Sequence, residues 1–259
     1  DKTLSRRFEQ RMKRLLLLTF AFLLATVSFA QTANGLMLSA GVSHKFNKKF
    51  SLDGEVEMRT RNDFRTMDRW SVGIGAGYKF TKYLKGSIDY TLLIDNNKEK
   101  IYSDDFGTVT VVNKWRPSYW GVRHRFNLSL TGSVDIGRFT LSLRERLQYT
   151  CRPESTQDLY DFGTETWEKK AIGAKNKAVL RSRFQVEYNI KKCKVNPFAN
   201  VEFFNAWSLQ KTRIIVGADW KVTKVHNLSF YYRLQLVNKN IYDDEPNNNM
   251  FGVGYNFKF

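Results

Sequence analysis

The chain has 259 residues, of which 42% are hydrophobic and 15% aromatic, and it carries a formal charge of +17 at pH 7. Such a basic protein usually binds nucleic acid or an anionic membrane, but the export signal described next argues against nucleic acid. The length, with only four prolines, suits one domain or one barrel.

The N-terminal region has the pattern of a secretory signal peptide. The basic start Met12-Lys13-Arg14 is followed by an apolar run at 15–27 and by the exit Ser28-Phe29-Ala30. This run is shorter than the ~20 residues that a membrane-spanning helix needs. We expect cleavage before Gln31, which removes six basic and two acidic residues and leaves 229 residues with a charge of +13.

After this leader the side chains alternate with a period of two, and no helical period is sustained. Eleven strands are predicted, at 36–46, 50–61, 68–80, 83–95, 119–134, 138–152, 178–191, 196–207, 211–222, 226–239 and 248–259. Each is at or above the ~9 to 11 residues with which a tilted strand crosses a bilayer. We therefore predict an all-β fold, an antiparallel transmembrane up-and-down β-barrel of about 10–12 strands. The expected organisation is an over-extended start at 1–11, a signal peptide at 12–30 and an outer-membrane β-barrel at 31–259.

The connections between these strands alternate between short and long, as in outer-membrane barrels, whose periplasmic turns are tight. The longest are predicted as outer loops at 96–118 and 153–177. Eleven is an odd number, whereas single-chain bacterial barrels have an even one. Either the stub at 31–35 or the segment at 107–115 adds a strand, or one assignment is wrong.

The last strand has one apolar and one polar face, because strand side chains alternate. Its apolar face is predicted to form a C-terminal assembly signal read by the barrel-assembly machinery, and consists of Phe251, Val253, Tyr255, Phe257 and Phe259. Aromatic residues near other strand ends match the two belts that barrels place at the membrane interfaces. These are Trp70, Tyr83, Trp120, Trp207 and Trp220.

Arginines concentrate on the polar faces of the strands, in the half that this topology places outside. They are Arg59, Arg61, Arg69, Arg123, Arg125, Arg144, Arg146, Arg181, Arg183 and Arg213. All except Arg69 are our candidate lumenal anion-binding residues, since guanidinium groups suit carboxylate, phosphate or sulfate. The inward acidic residues are expected in the periplasmic half or near the middle, at Asp53, Glu55, Glu57, Glu187 and Asp219. This predicts a stratified lumen, although the inward charges of so narrow a barrel can also pair and fill it.

One carboxylate breaks the alternation of its strand. Glu145 falls on the face of Leu143 and Leu147, which is expected to meet lipid. A carboxylate there costs a few kcal/mol at mid-depth. Glu145 is therefore expected near the outer interface, paired with a neighbour, or at a bulge.

The sequence offers no catalytic constellation. The three histidines are His44, His124 and His226, and none is predicted beside a serine nucleophile and an orienting acid. Cys151 and Cys193 are expected at opposite ends of the barrel, too far apart for a disulfide. We predict a protein that is not an enzyme, with no cofactor and no metal.

One family resemblance rests on three segments. Arg123-His124-Arg125, the stretch from Arg138 to Thr150 and the early turn from Phe46 to Phe50 together resemble a family of uncharacterised outer-membrane barrels, the domain of unknown function of type 2490. The resemblance extends over about residues 36–259. It implies an exported β-barrel with no established activity.

Two functions are compatible with these features. The first is a narrow channel for small anionic solutes, such as acidic sugars, selected by the lumenal arginines. The second is a closed structural or accessory barrel that contacts lipopolysaccharide or a protein partner. Either protein is expected in the outer membrane of a Gram-negative bacterium, with outer-membrane lipids as neighbours and no nucleic acid bound.

Overall fold

The computed structural model describes residues 32–105, 110–241 and 247–259, and residues from Ala33 to Phe259 form one compact unit. The expected start at 1–11 and signal peptide at 12–30 lie outside the described residues. Within the described residues, no helix has the length and apolar character required to cross a membrane.

Fifteen strands make up the fold, and eleven of them close into a barrel. The barrel strands are β1 (Thr32–Lys45), β2 (Phe50–Arg61), β3 (Thr66–Lys79), β4 (Leu84–Asn97), β7 (Tyr119–Ile136), β8 (Phe139–Arg152), β11 (Lys175–Tyr188), β12 (Val195–Asn205), β13 (Leu209–Lys221), β14 (His226–Val237) and β15 (Asn247–Lys258). The predicted all-β barrel is confirmed, and the bounds of β2 match the prediction at both ends. The barrel has eleven strands, within the predicted range of about 10–12, and the expectation that a further strand or a wrong assignment would make the number even is wrong.

The odd number of strands makes the closing pair parallel. Each neighbouring pair from β1 round to β15 is antiparallel, so β1 and β15 run in the same direction. Backbone hydrogen bonds at one end show this pairing, because Phe259 N donates to Ser43 O and Lys45 N donates to Phe259 O. At the other end Asn249 Nδ2 donates to Asn34 Oδ1 at 3.3 Å. A parallel seam between the first and last strands therefore closes this barrel.

The remaining four strands form a second sheet, and this corrects the sequence-based expectation of two long loops. They are β5 (Lys100–Asp105), β6 (Thr110–Arg116), β9 (Ser155–Asp161) and β10 (Thr166–Ile172). Their order, β10-β9-β6-β5, follows the order β11-β8-β7-β4 of the barrel strands to which they connect. The sheet thus extends one part of the barrel wall beyond its rim, which we call the extension sheet. The segment at 107–115, considered as an extra barrel strand, belongs in its described part to β6.

The barrel wall exposes apolar side chains and buries polar ones. In β7, Phe126, Leu128 and Leu130 are 49–59% exposed, whereas the intervening Asn127 and Ser129 are 6% and 4% exposed. Neighbouring strands show the same pattern, with Ile74 and Ile88 both 61% exposed. A contiguous apolar exterior around a polar interior is the reverse of a water-soluble protein and is typical of a membrane barrel.

Glu145 interrupts this exterior and is satisfied by pairing. It lies level with Leu130 and Ser182 in an unbroken register, so it does not mark a bulge. Ser182 Oγ donates to its carboxylate at 2.7 Å. Glu145 lies halfway along β8 and not near the outer interface. Of the three expectations, only pairing with a neighbour is confirmed.

Aromatic side chains lie at both ends of the apolar band. Trp70, Trp120 and Trp207 are exposed at the end that carries the extension sheet, and Tyr83 and Trp220 are exposed at the opposite end. The last strand also shows its predicted alternation: Phe251 and Tyr255 face outward, and Gly252 is buried.

Candidate anion-binding lumen

The barrel encloses a lumenal cavity of about 930 Å³ with a strongly basic lining. Fourteen basic residues line it against five acidic ones. The basic ones are Arg59, Arg69, Arg123, Arg125, Arg144, Arg146, Arg152, Arg181, Arg183, Arg213, Arg233, Lys175, Lys177 and Lys211. The acidic ones are Glu55, Glu57, Asp68, Glu202 and Asp219. The described lining therefore has a formal excess of nine positive charges.

The structure brings together eight of the nine predicted arginines around this cavity, together with Arg69. The exception is Arg61, which donates to Asp68 at 3.0 Å and to the Asn96 carbonyl at 2.5 Å. Strand alternation explains the grouping, because these side chains occupy alternate positions on adjacent strands and so share the inner face. Whether they bind an anion stays a prediction.

At the centre of the arginines lies Glu202, which is only 2% exposed. Its carboxylate accepts hydrogen bonds from Arg144 at 2.6 Å, Arg181 at 2.8 Å and Arg213 at 3.4 Å. The three donors come from β8, β11 and β13, while Glu202 belongs to β12. Arg181 also bonds Gln148 at 2.8 Å. One carboxylate thus holds three guanidinium groups in place.

Two pairs of arginines directly face each other across the ladder between β8 and β11. Arg146 is opposite Arg181, and Arg144 is opposite Arg183. Like charges in this position repel. Carboxylates offset part of this repulsion, because Arg144 and Arg181 pair with Glu202 and Arg146 lies 3.7 Å from Asp89.

Other acidic residues lie among the arginines, so the expected separation into layers is incomplete. Asp95 binds both Arg69 and Arg123, the latter at 3.1 Å. Arg59 pairs with Glu57 at 2.5 Å. The sequence did not predict these ion pairs. Pairing between strands depends on their register, which the sequence does not specify.

Four lumenal arginines have no carboxylate within 4.0 Å in the part of the chain that the structure describes: Arg125, Arg152, Arg183 and Arg233. Arg125 makes one long hydrogen bond to Thr150, at 3.4 Å. Arg233 is 2% exposed and contacts the sulfur atoms of Met37 and Met250. Sequence reasoning missed Arg233 and Glu202, although the alternation of β14 and β12 places both on the inner face.

One aromatic side chain of the cavity lining, Tyr231, packs closely against a glycine of the neighbouring strand. Tyr231 lies in register between Gly217 of β13 and Gly252 of β15, and its ring lies over Gly252. A Cβ atom on Gly252 would come within 2.1 Å of the ring. Both glycines therefore make room for Tyr231, which lines the cavity together with Phe198.

The titratable groups elsewhere make simple contacts. His124 Nδ1 lies 2.8 Å from the Tyr90 hydroxyl, and His226 Nδ1 lies 2.8 Å from the Tyr255 hydroxyl. Cys151 and Cys193 are free thiols, as predicted. No group of three or more His, Cys, Asp or Glu side chains suited to a metal occurs in the described ranges.

Comparison with known proteins gives one family and several distant folds. The model of a family described as "Protein of unknown function (DUF2490)" matches residues 34–245. The beta domain of the Bordetella autotransporter Brka is similar in structure at 13% identity and a TM-score of 0.48, with 78% of each chain covered. The translocator domain of the autotransporter NalP from Neisseria meningitidis is similar at 13% identity and a TM-score of 0.44, covering 75% of this chain and 71% of that one. No curated protein sequence matches the chain.

Proposed function

Because the chain belongs to the DUF2490 family of proteins of unknown function, we propose a function from its geometry: an outer-membrane barrel that forms a narrow channel for small anionic solutes. Its location would be the outer membrane of a Gram-negative bacterium, with lipids and lipopolysaccharide around the wall. The barrel-assembly machinery would read the apolar face of β15 during insertion. The role is binding and passage, not catalysis.

The exterior supports the membrane part of this proposal. Barrel strands of 11 to 18 residues meet the ~9 to 11 residues that a tilted strand needs to span a bilayer. An exposed wall of Leu, Ile, Val and Phe side chains would aggregate in water. In lipid the same apolar side chains are in a favourable environment. The backbone N–H and C=O groups of the barrel strands are hydrogen-bonded to neighbouring strands, because a closed barrel has no edge.

The anion selectivity rests on one observation, the excess of positive charge in the lumen. Even with the ion-paired Asp89 and Asp95 added to the five acidic lining residues, the basic residues of the lining outnumber the acidic ones by seven among the described residues. Arg125 and Arg183 supply guanidinium groups that no carboxylate of the described chain occupies. A narrow, low-dielectric passage focuses the field of such charges on an entering anion.

The test is single-channel conductance of residues 31–259, refolded into planar bilayers under a salt gradient. We expect discrete current steps with a reversal potential that favours anions. The double variant Arg125→Glu with Arg146→Glu should shift that potential toward cations. The double variant Lys100→Glu with Lys170→Glu makes the same change of charge outside the barrel and should leave selectivity nearly unchanged.

A closed accessory barrel is the second candidate, and one observation favours it. Five lumenal arginines already have a carboxylate partner, because Arg144, Arg181 and Arg213 pair with Glu202 and Arg69 and Arg123 pair with Asp95. A correctly folded, heat-modifiable protein that carries no current would support this candidate and contradict the channel.

A further inference from the structure

The tight turns at one end of the barrel form a second strongly basic region, separate from the lumen. They join β1 to β2, β3 to β4, β7 to β8, β11 to β12 and β13 to β14, at 46–49, 80–83, 137–138, 189–194 and 222–225. These five turns contain seven lysines and Arg138 but no acidic residue. We call the seven lysines, at positions 48, 49, 82, 191, 192, 194 and 224, the lysine rim.

The lysine rim follows the whole circumference of the barrel. Each turn joins two neighbouring strands of the closed sheet, and Lys258 at the end of β15 completes the circle. All seven lysines are exposed, and none has a carboxylate within 4.0 Å among the described residues. The connections at the opposite end carry both signs, with Asp63 near Arg65 and Lys98 beside Glu99. The tight-turn end is therefore the more basic of the two.

Exposed apolar side chains lie among these lysines. One occurs in or next to each turn, and they are 36–57% exposed: Phe46, Phe80, Phe139, Ile190 and Val225. Lys82 Nζ lies 4.7 Å from the centre of the Tyr83 ring, so the lysine and the ring share one surface. Aromatic rings beside lysines whose ammonium groups reach toward water are typical of the interface between a bilayer and water.

The combination of charge and apolar rings selects the ligand class. An ammonium group binds a phosphate oxygen as a point charge, and basic residues at a membrane surface attract anionic headgroups. The apolar side chains beside the lysines continue the exposed wall of the barrel and require acyl chains at the same level. An anionic phospholipid satisfies both, whereas a soluble polyanion satisfies only the lysines. A ring around the whole barrel also fits a surrounding bilayer better than a globular partner, which would contact one contiguous patch.

We infer that the lysine rim binds the headgroups of anionic phospholipids and gathers these lipids round the tight-turn end of the barrel. This inference rests on the membrane location within the proposed function and not on the channel. Under that location the rim lies at the periplasmic leaflet, because the periplasmic turns of outer-membrane barrels are the tight ones. The lumenal arginines take no part in it.

Trp220 reports on the lipids beside the rim. It is 41% exposed near the end of β13 and lies opposite Val195, which directly follows the turn at 189–194. The experiment refolds residues 31–259 into phosphatidylcholine liposomes that contain increasing fractions of brominated phosphatidylglycerol or brominated phosphatidylcholine. Bromine quenches the emission of a neighbouring tryptophan, so the two titrations give the relative affinity of the two lipids. The quenching of the Trp220→Phe variant is subtracted, which leaves the contribution of Trp220.

We expect phosphatidylglycerol to bind beside Trp220 about tenfold more strongly than phosphatidylcholine at low ionic strength. Screening should weaken this preference in about 0.5 M salt. The rim variant, with Lys191→Gln, Lys192→Gln and Lys224→Gln in the two turns next to Trp220, should reduce the ratio to within about twofold. The control variant, with Lys98→Gln, Lys100→Gln and Lys170→Gln, removes the same charge at the opposite end and should keep the ratio.

The outcomes separate this inference from the proposed function. An anion-selective barrel without lipid preference, or with an equal preference in the rim variant, would overturn the inference and leave the channel standing. A silent barrel with a rim-dependent preference would overturn the channel alone, and a protein that does not insert into liposomes would overturn the membrane location and the inference together. Rim-dependent dimerisation, or rim-dependent sedimentation with purified peptidoglycan, in the absence of a lipid preference would assign the lysines to a second copy or to the cell wall and overturn the inference. The double variant Lys191→Gln with Lys192→Gln tests the same point if the triple variant does not fold.

Discussion

Arg183 and Glu202 lie directly opposite each other on β11 and β12, yet they do not form an ion pair. The carboxylate of Glu202 is taken by Arg144, Arg181 and Arg213. Its cross-strand neighbour is left with no acidic partner in the described residues. At this level of the lumen the described guanidinium groups therefore outnumber the carboxylates, and under the proposed function Arg183 is a group that an anion would contact.

Removal of the Glu202 charge tests how far the cluster depends on it. Glu202→Gln leaves three arginines without their shared carboxylate, and loss of one partner of a buried ion pair costs about 3–5 kcal/mol. We expect the free energy of unfolding in liposomes, measured by urea titration of tryptophan emission, to fall by that amount. Asp53→Asn, at a lumenal acid outside the cavity lining, is the matched control and should change it by less than about 0.5 kcal/mol. Equal effects of the two variants would contradict the cluster.

Arg181 and Arg183 occupy the same face of one strand and differ in partners. Arg181→Gln removes a donor from a buried carboxylate and should cost about 1–3 kcal/mol. Arg183→Gln removes the repulsion with Arg144 together with a weaker attraction to Glu202, which lies opposite but is not ion-paired with it, and should be nearly neutral. Both variants should lower the preference for anions in the reversal-potential measurement. An Arg183→Gln variant as unstable as Arg181→Gln would show that Arg183 has a structural partner.

The packing of Tyr231 on Gly252 predicts a non-additive pair of substitutions. Gly252→Val places side-chain atoms where the Tyr231 ring lies, and such overpacking typically costs about 1–3 kcal/mol. In the background Tyr231→Ala the same substitution should cost much less. A double-mutant cycle on the urea midpoint measures this coupling, and simple additivity would rule out the contact.

Glu145 predicts a substitution that stabilises the barrel in lipid. Glu145→Gln removes a charge from the apolar exterior and keeps an acceptor for Ser182, so we expect a gain of about 1 kcal/mol. Ser182→Ala removes the hydrogen bond instead and should cost about 1 kcal/mol. Both changes in the free energy of unfolding would be measured by urea titration in liposomes. A loss of stability in Glu145→Gln would mean that the charge of Glu145 is stabilised by a group outside this pair.

The junction between β6 and β9 predicts a pH dependence of the extension sheet. Lys114 lowers the pKa of Asp161 by a hydrogen bond, and the same bond raises the pKa of Lys114. Because folding lowers the pKa of Asp161, its contribution is present above the unfolded value of about 3.9 and is lost as the pH falls through the folded value. The contribution of Lys114 is present below about 10.4 and is lost as the pH rises through its folded value.

Hydrogen exchange at Phe162 N–H checks this, since that group donates to Asn113 O at 2.8 Å across the junction. Its protection factor should be constant at neutral pH and fall in acid. The Asn189 N–H, which donates to Arg138 O at 2.8 Å at the other end of the barrel, serves as the internal control. A parallel fall at both amides would indicate global unfolding and not loss of this pair.

Strand alternation made most of the barrel predictable. In β7 the apolar side chains of Phe126 and Leu128 alternate with the polar ones of Asn127 and Ser129, which indicates that the apolar ones face outward. The same alternation placed eight candidate arginines in the lining of the cavity. Each of these assignments, to the inner or the outer face, needs only the position of a residue within its own strand, because side chains alternate between the two faces.

The features that were missed depend on pairing between distant segments. β10 reads Thr-Trp-Glu-Lys-Lys-Ala-Ile, a largely polar stretch that becomes a strand because it pairs with β9. Glu202 could be placed on the inner face, but its three partners come from three other strands. Register and tertiary contact decide both cases, and a single sequence specifies neither.

The parallel seam determines how the first and last strands could be joined in a circular permutation. In an even-stranded barrel the beginning of the first strand and the end of the last lie at the same rim, and a short peptide can join them. Here Thr32 and Lys258 lie at opposite rims. A circular permutation that joined these two positions would need a linker of at least about ten residues to run the height of the barrel. Such a linker would have to lie against lipid or inside the lumen.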